Sequence, residues 1–148
     1  MKKAILLTSI IFTAAFFSQS LQAQTEAQRV ELCARMTDGA TFLSSYSMQL
    51  HAARDGERPP DFRQGVALQR GNRYQFTICN DDELPGEAIL QVMFQGRVIG
   101  SNYNAETGVM HRSFAFDCSV TGPYAIIIRF RDGREGSFVA ILSHVRTL

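Results

Sequence analysis

The 148-residue chain has no tryptophan, and its lysines stop at Lys3. Of its 15 basic residues two are Lys, which leaves 13 Arg against 14 acids. That balance lacks the basic excess of a nucleic-acid binder, so no nucleic-acid partner is expected. The missing Trp removes the usual platform for stacking on a sugar ring. With 11 Gly and 4 Pro the chain is neither collagen-like nor low-complexity. No G-x-S-x-G, H-E-x-x-H, P-loop or C-x-x-C is present, so no catalytic residue is assigned and no enzyme is expected. Asn-x-Ser/Thr sites are also absent, which together with the lysine pair leans towards a bacterial envelope protein.

What is present supports one ordered domain. Residues are 45% hydrophobic and 20% charged, enough apolar material for a core. Residues 1–23 read as a secretory signal peptide. Lys2 and Lys3 are its positive start, and Ala4 to Phe17 its apolar run. Cleavage falls before Gln24, with cleavage after Ser20 as the alternative. The run is below the ~20 residues that span a bilayer, so no transmembrane anchor is expected after signal removal. The protein is therefore expected in the periplasm or outside the cell.

Residues 24–40 form a lead. Thr25-Glu26-Ala27-Gln28 fits a capping box, and Ala27, Val30, Cys33 or Ala34 and Met36 recur at helical spacing. Asp38-Gly39 would end the helix. From Thr41 the period changes to two, and 41–148 reads as the β domain. Tyr46, Met48 and Leu50 share one face of a first strand. Alternation then recurs through Phe62–Leu68, Tyr74–Ile78, Leu90–Phe94, Phe114–Phe116, Tyr124–Phe130 and Phe138–Leu142. Gly71-Asn72, Gly96-Arg97 and Asp132-Gly133 read as turns, the last as the bend of a closing hairpin. About eight strands predict an all-β, antiparallel, jelly-roll-like sandwich with a short N-terminal helix.

One resemblance follows from this pattern. Val66-x-Leu68-x-x-Gly71, Tyr74-x-Phe76-x-Ile78-Cys79 and Leu90-x-Val92-x-Phe94-x-Gly96-x-Val98 carry it, with Phe114-x-Phe116, Gly122-x-Tyr124 and Asp132-Gly133-x-x-Gly136. The stretch resembles β-sandwiches of the pre-peptidase C-terminal domain type. More narrowly, it resembles small exported sandwich proteins of the Bacteroidota. The resemblance implies a non-catalytic module that binds protein, polysaccharide or calcium.

Three cysteines carry definite chemistry. Cys79 and Cys118 each end a strand, and a Cys79–Cys118 disulfide is expected. Cys33 would then be free, buried by the helix, or paired with another chain. Three reduced, buried cysteines are the competing reading. Zinc is not expected, because His51, His111 and His144 lack ligand spacing and read as isolated surface groups. Asp81-Asp82-Glu83 is a run of hard oxygen donors, read either as a calcium loop or as a solvated turn. No cofactor beyond that possible calcium is expected. Tyr103, in a polar segment, either stacks on a ligand or packs over its loop. Arg129 and Arg131 offer a basic stripe to an acidic partner, or keep a sheet soluble. The expected function is binding an envelope or secreted protein. The alternatives are a calcium or glycan module, or a small hydrolase or thiol enzyme built on Cys33 or a Cys–His pair.

Overall fold

The structure is a computed structural model and describes residues 25–148. The expected signal segment lies outside the described residues. Helix α1 spans residues 25–34. Eight strands follow: β1 Thr41–Leu50, β2 Phe62–Leu68, β3 Asn72–Asn80, β4 Ala88–Phe94, β5 Arg97–Ser101, β6 Ser113–Cys118, β7 Gly122–Phe130 and β8 Gly136–Thr147. They form two four-stranded antiparallel sheets, ordered β1-β8-β3-β6 and β2-β7-β4-β5. The chain is an all-β sandwich, as its alternating periods predict.

The pairing follows one rule. β4 pairs β5, β3 pairs β6, β2 pairs β7 and β1 pairs β8. The strands thus form one long hairpin whose tip is β4–β5, wrapped so that its rungs fall alternately into two sheets, in the jelly-roll manner. The tip turn is Gln95-Gly96, both left-handed at φ 48° and 77°. That is the type I′ geometry whose twist suits a two-residue hairpin, and it lies one residue earlier than the expected Gly96-Arg97. Asp132-Gly133 does not close a hairpin. Its positive φ values, 57° and 63°, carry the chain from β7 in one sheet to β8 in the other. A turn signal specifies a reversal of direction, but not which sheet receives the next strand.

Alternation sends one face of each strand inward. Phe76 and Ile78 of β3, Leu90 and Val92 of β4, Ile126 and Ile128 of β7 and Phe138, Ala140 and Leu142 of β8 fill the core. Phe76 stacks on Phe114 and Phe116 at 5.7 and 6.2 Å between centroids, and Phe94 on Tyr124 at 4.5 Å. Rings offset in this way add to what their burial contributes.

The other face of β8 is apolar too, with Val139 and Ile141 buried beneath α1. Val30, Cys33 and Ala34 supply the helix side of this smaller core. Helix α1 ends at Ala34, earlier than the Asp38-Gly39 stop expected from the sequence; that pair, at φ 51° and 78°, turns the chain towards β1 instead.

A disulfide fixes the helix there, and it corrects the expected pairing. Cys33 bonds Cys79, with Cα atoms 5.9 Å apart, while Cys118 is free and buried. β3 and β6 are antiparallel neighbours, and Cys118 lies opposite Asn72 at the far end of β3 from Cys79. At ~3.3 Å per residue that is roughly 20 Å, well beyond disulfide reach. The faces differ as well, since Cys118 joins the main core and Cys79 the core beneath α1.

Candidate functional site

The wrapped hairpin makes the two ends of the sandwich unequal. One end carries the short turns 69–71, 95–96 and 119–121. The other gathers four longer connections, 51–61, 81–87, 102–112 and 131–135. Backbone hydrogen bonds tie three of these loops, 51–61, 81–87 and 131–135, to one another. Ala53 N–H donates to Gly133 O at 2.7 Å, Gly86 N–H to Glu135 O at 2.8 Å and Arg131 N–H to Glu87 O at 2.9 Å.

Buried Asn102 anchors the 102–112 loop. Its Oδ1 accepts from Leu90 N–H at 2.8 Å, and its Nδ2 donates to Ala88 O at 3.0 Å and His111 O at 3.3 Å. This amide occupies the place of a further sheet rung, so the loop springs from a rigid base. The next residue, Tyr103, pairs with Met110 across the loop. The Arg131 guanidinium lies 5.3 Å from the Tyr103 ring centroid, within cation–π range, and Arg131 Nη1 is 3.6 Å from Glu87 Oε2. Two residues that the sequence offered as separate contact candidates thus form one unit with a third, Glu87, from another loop.

Beside this unit lies an open cleft of about 280 Å³. Asp82, Glu87, His111 and Arg112 supply its charged and polar rim, Met36 and Met110 its apolar wall, and Cys79 part of its lining. A wider groove of about 750 Å³ runs between α1 and the 81–87 loop, lined by Glu26, Arg29, Asp81, Asp82 and Glu83 among others. Arg29 Nη1 donates to Ser137 Oγ at 3.0 Å and lies 3.9 Å from Asp81 Oδ2.

The acidic run divides its duties. Asp81 Oδ1 accepts the Glu83 N–H at 3.0 Å, which shapes the turn, while the other oxygen faces Arg29. Among the described residues no group of three or more His, Cys, Asp or Glu side chains is placed to hold a metal ion. Arg129 is exposed on β7, and its charge acts on Asp61 beyond the start of β2. The hydrogen bond from Arg63 is what chiefly holds that carboxyl below its usual range. The contributions of His111, Arg112 and Glu87 to the cleft were not marked by any local motif, because they meet only when loops from both sheets converge.

The free thiol sits at the turn end. Cys118 Sγ and Tyr124 Oη both donate to Val120 O, at 3.2 and 2.7 Å, and lie 3.5 Å apart. Burial, helped by the Cys118 contact, pushes the Tyr124 phenol up to about 12 from the ordinary value near 10. A phenol whose pKa is raised by folding stabilises fully below pH ~10 and loses that contribution as pH climbs through ~12. We therefore expect the protein to lose on the order of 2 kcal/mol over that interval, and Tyr124→Phe to flatten the loss. Urea titrations of both proteins from pH 9 to 12 check it, and parallel curves would refute the assignment.

No protein-family model and no curated protein matches the chain. Among solved structures it aligns with a periplasmic inhibitor of g-type lysozyme, PliG, from Aeromonas hydrophila. That alignment has 13% identity and a TM-score of 0.46, over 74% of this chain and 90% of the other. It also aligns with the pre-peptidase C-terminal domain of a collagenase from Bacillus anthracis. Here the identity is 8% and the TM-score 0.52, over 70% of this chain and 90% of that one. The second likeness is one of fold, and at that level it agrees with the resemblance read from the strand pattern.

Proposed function

We propose that the protein is an exported, non-catalytic binding module that grips another protein with the loop end of its sandwich. The observation that carries this reading is the convergence of three loops, 81–87, 102–112 and 131–135, on the cleft and the adjoining Tyr103–Arg131–Glu87 unit. Loops held on a rigid scaffold are the usual place for recognition, and Tyr and Arg are favoured contact residues at protein interfaces. The mixed charge of the rim, Asp82 and Glu87 beside His111 and Arg112, suits a polar protein surface better than a single anion or cation. The thiols support a binding role. Two are joined to each other, and the third bonds Val120 O and Tyr124 in the interior rather than an imidazole. The disulfide is in keeping with an oxidising compartment. No helix among the described residues is long and apolar enough to cross a membrane.

The test is an affinity capture from the native envelope with tagged wild type and with Tyr103→Ala/Arg131→Ala, each in calcium and in chelator. We expect one specific protein, retained at least ten-fold less by the double variant, with melting temperature unchanged and no effect of calcium. Equal capture by both chains would move the contact elsewhere. Calcium-dependent capture, or a melting temperature raised by calcium, would favour the Asp81-Asp82-Glu83 loop as a cation site.

A further inference from the structure

The sandwich has four edge strands, β1 and β6 in one sheet and β2 and β5 in the other. An edge exposes unpaired N–H and C=O groups, and soluble proteins guard such edges with charge, proline, a bulge or brevity. Three of these edges are guarded. β5 is five residues long and begins with Arg97, β2 holds Arg63, and the six-residue β6 holds Asp117. β1 is different. Its ten residues, TFLSSYSMQL, contain no charge and no proline. Among the described residues its only strand partner is β8. Along it Phe42, Leu43 and Met48 are exposed at 49%, 47% and 44%.

We propose that β1 is a dimerisation edge, pairing antiparallel with β1 of a second copy of this chain. An unpaired strand edge is complementary to another extended strand, and an uncharged one is suited to its own copy. The register with β8 sets the faces. Tyr46, Met48 and Leu50 lie opposite inward-facing residues of β8 or its start, and Ser45, Ser47 and Gln49 lie on the α1 side. A two-fold axis perpendicular to the sheet pairs only residues of the same face. Every such register sets Tyr46 and Met48 among the partner's sandwich-side residues, and the Ser and Gln side chains against Ser and Gln. No like charges of the strands meet, which is the usual penalty in self-pairing. The bulge between Phe42 and Ser44 confines pairing to the regular stretch from Ser44 to Leu50. The product is one continuous eight-stranded sheet through both copies, with α1 of each on the same side. The edge runs along the flank of the sandwich, so this inference is independent of the loop-end function.

Sedimentation equilibrium of the purified protein from 1 to about 200 µM tests it. We expect a monomer–dimer equilibrium whose dissociation constant rises at least ten-fold in Met48→Lys/Gln49→Lys, both exposed within that stretch, because lysines guard edges. Val98→Lys on β5 is expected to leave it unchanged. Hydrogen exchange on the unmodified protein makes the test independent of variant folding. Half of the β1 amides between Ser44 and Leu50 are expected to slow as concentration rises. A monomer at every concentration overturns the proposal, as does a dimer that withstands the lysines or β1 exchange that ignores concentration. Slowing of β1 exchange only when a different protein is added also overturns it, in favour of a foreign strand.

Discussion

Replacing both Cys33 and Cys79 with Ser is expected to cost about 4 kcal/mol and to lower Tm by on the order of 15 °C. The bond spans a sequence separation of 46 residues, and closing a loop of that size removes roughly that much freedom from the unfolded chain. A second effect acts in the folded state. A single helix as short as α1 has little stability of its own in water, so without its tether it holds to β8 through little more than Val30, Ala34 and the Arg29–Ser137 hydrogen bond. We expect it to leave before the sandwich melts, uncovering Val139 and Ile141. Circular dichroism should then show helix signal fading below the main transition, in the variant and in reduced wild type alike. Cys118→Ser serves as the comparison, with a smaller expected cost of about 1 kcal/mol and no change under reductant. A reductant-insensitive wild type, or a larger loss at Cys118 than at Cys33, would refute the pairing.

The second large effect is expected at Gly136. A Cβ there would lie 2.3 Å from Cε1 of Phe130 and 2.5 Å from Cδ1 and Cζ. The ring cannot swing aside, because it is buried and because Gly86 faces it as well, where an added Cβ would lie 2.7 Å from Cδ1. Two glycines thus make the slot in which Phe130 closes the core beneath the loop end. Gly136→Ala is expected to cost about 2–3 kcal/mol through overpacking, whereas Gly65→Ala, where a Cβ meets nothing within 4 Å, is expected to change little. A smaller side chain at 130 should relieve the clash. In a Phe130→Leu background the cost of Gly136→Ala is expected to fall by at least about 1 kcal/mol. Urea unfolding of the four proteins measures this coupling, and simple additivity would show that the slot is not what constrains Gly136.

These two sites mark the boundary of what the sequence disclosed. Strand positions were legible because an inward-outward alternation is written locally, as in Tyr124, Ile126, Ile128 and Phe130. Partnership was not legible. Asp132-Gly133 has the chemistry of a hairpin turn yet links two sheets, since the choice is made by which strands are already paired. The cysteines show the same limit. Cys79 and Cys118 look equivalent as strand ends until strand polarity places them at opposite ends. Cys33 could be matched only by knowing that the outer face of β8 is apolar and needs a cover. At the candidate site, Tyr103 and Arg131 stood out as residue types in polar surroundings. Their contact, and the inclusion of Glu87, His111 and Arg112, depend on three loops converging. Asn102 is an amide in a polar stretch of sequence, and only its burial against Ala88 and Leu90 reveals it as the loop's anchor.

The wrapped hairpin also constrains how the molecule comes to be folded. Its local rung is β4–β5, and each further rung joins strands more distant in sequence, ending with β1 on β8. Such a chain has high contact order, and folding on the millisecond-to-second scale is the normal outcome for that topology. Among the described strands, synthesis from the N-terminus makes β1 the first produced and the last to find its partner, because β8 follows all the others. Until then the uncharged β1 has two open edges instead of one. A strand left waiting in that state is exposed to aggregation until the last rung closes.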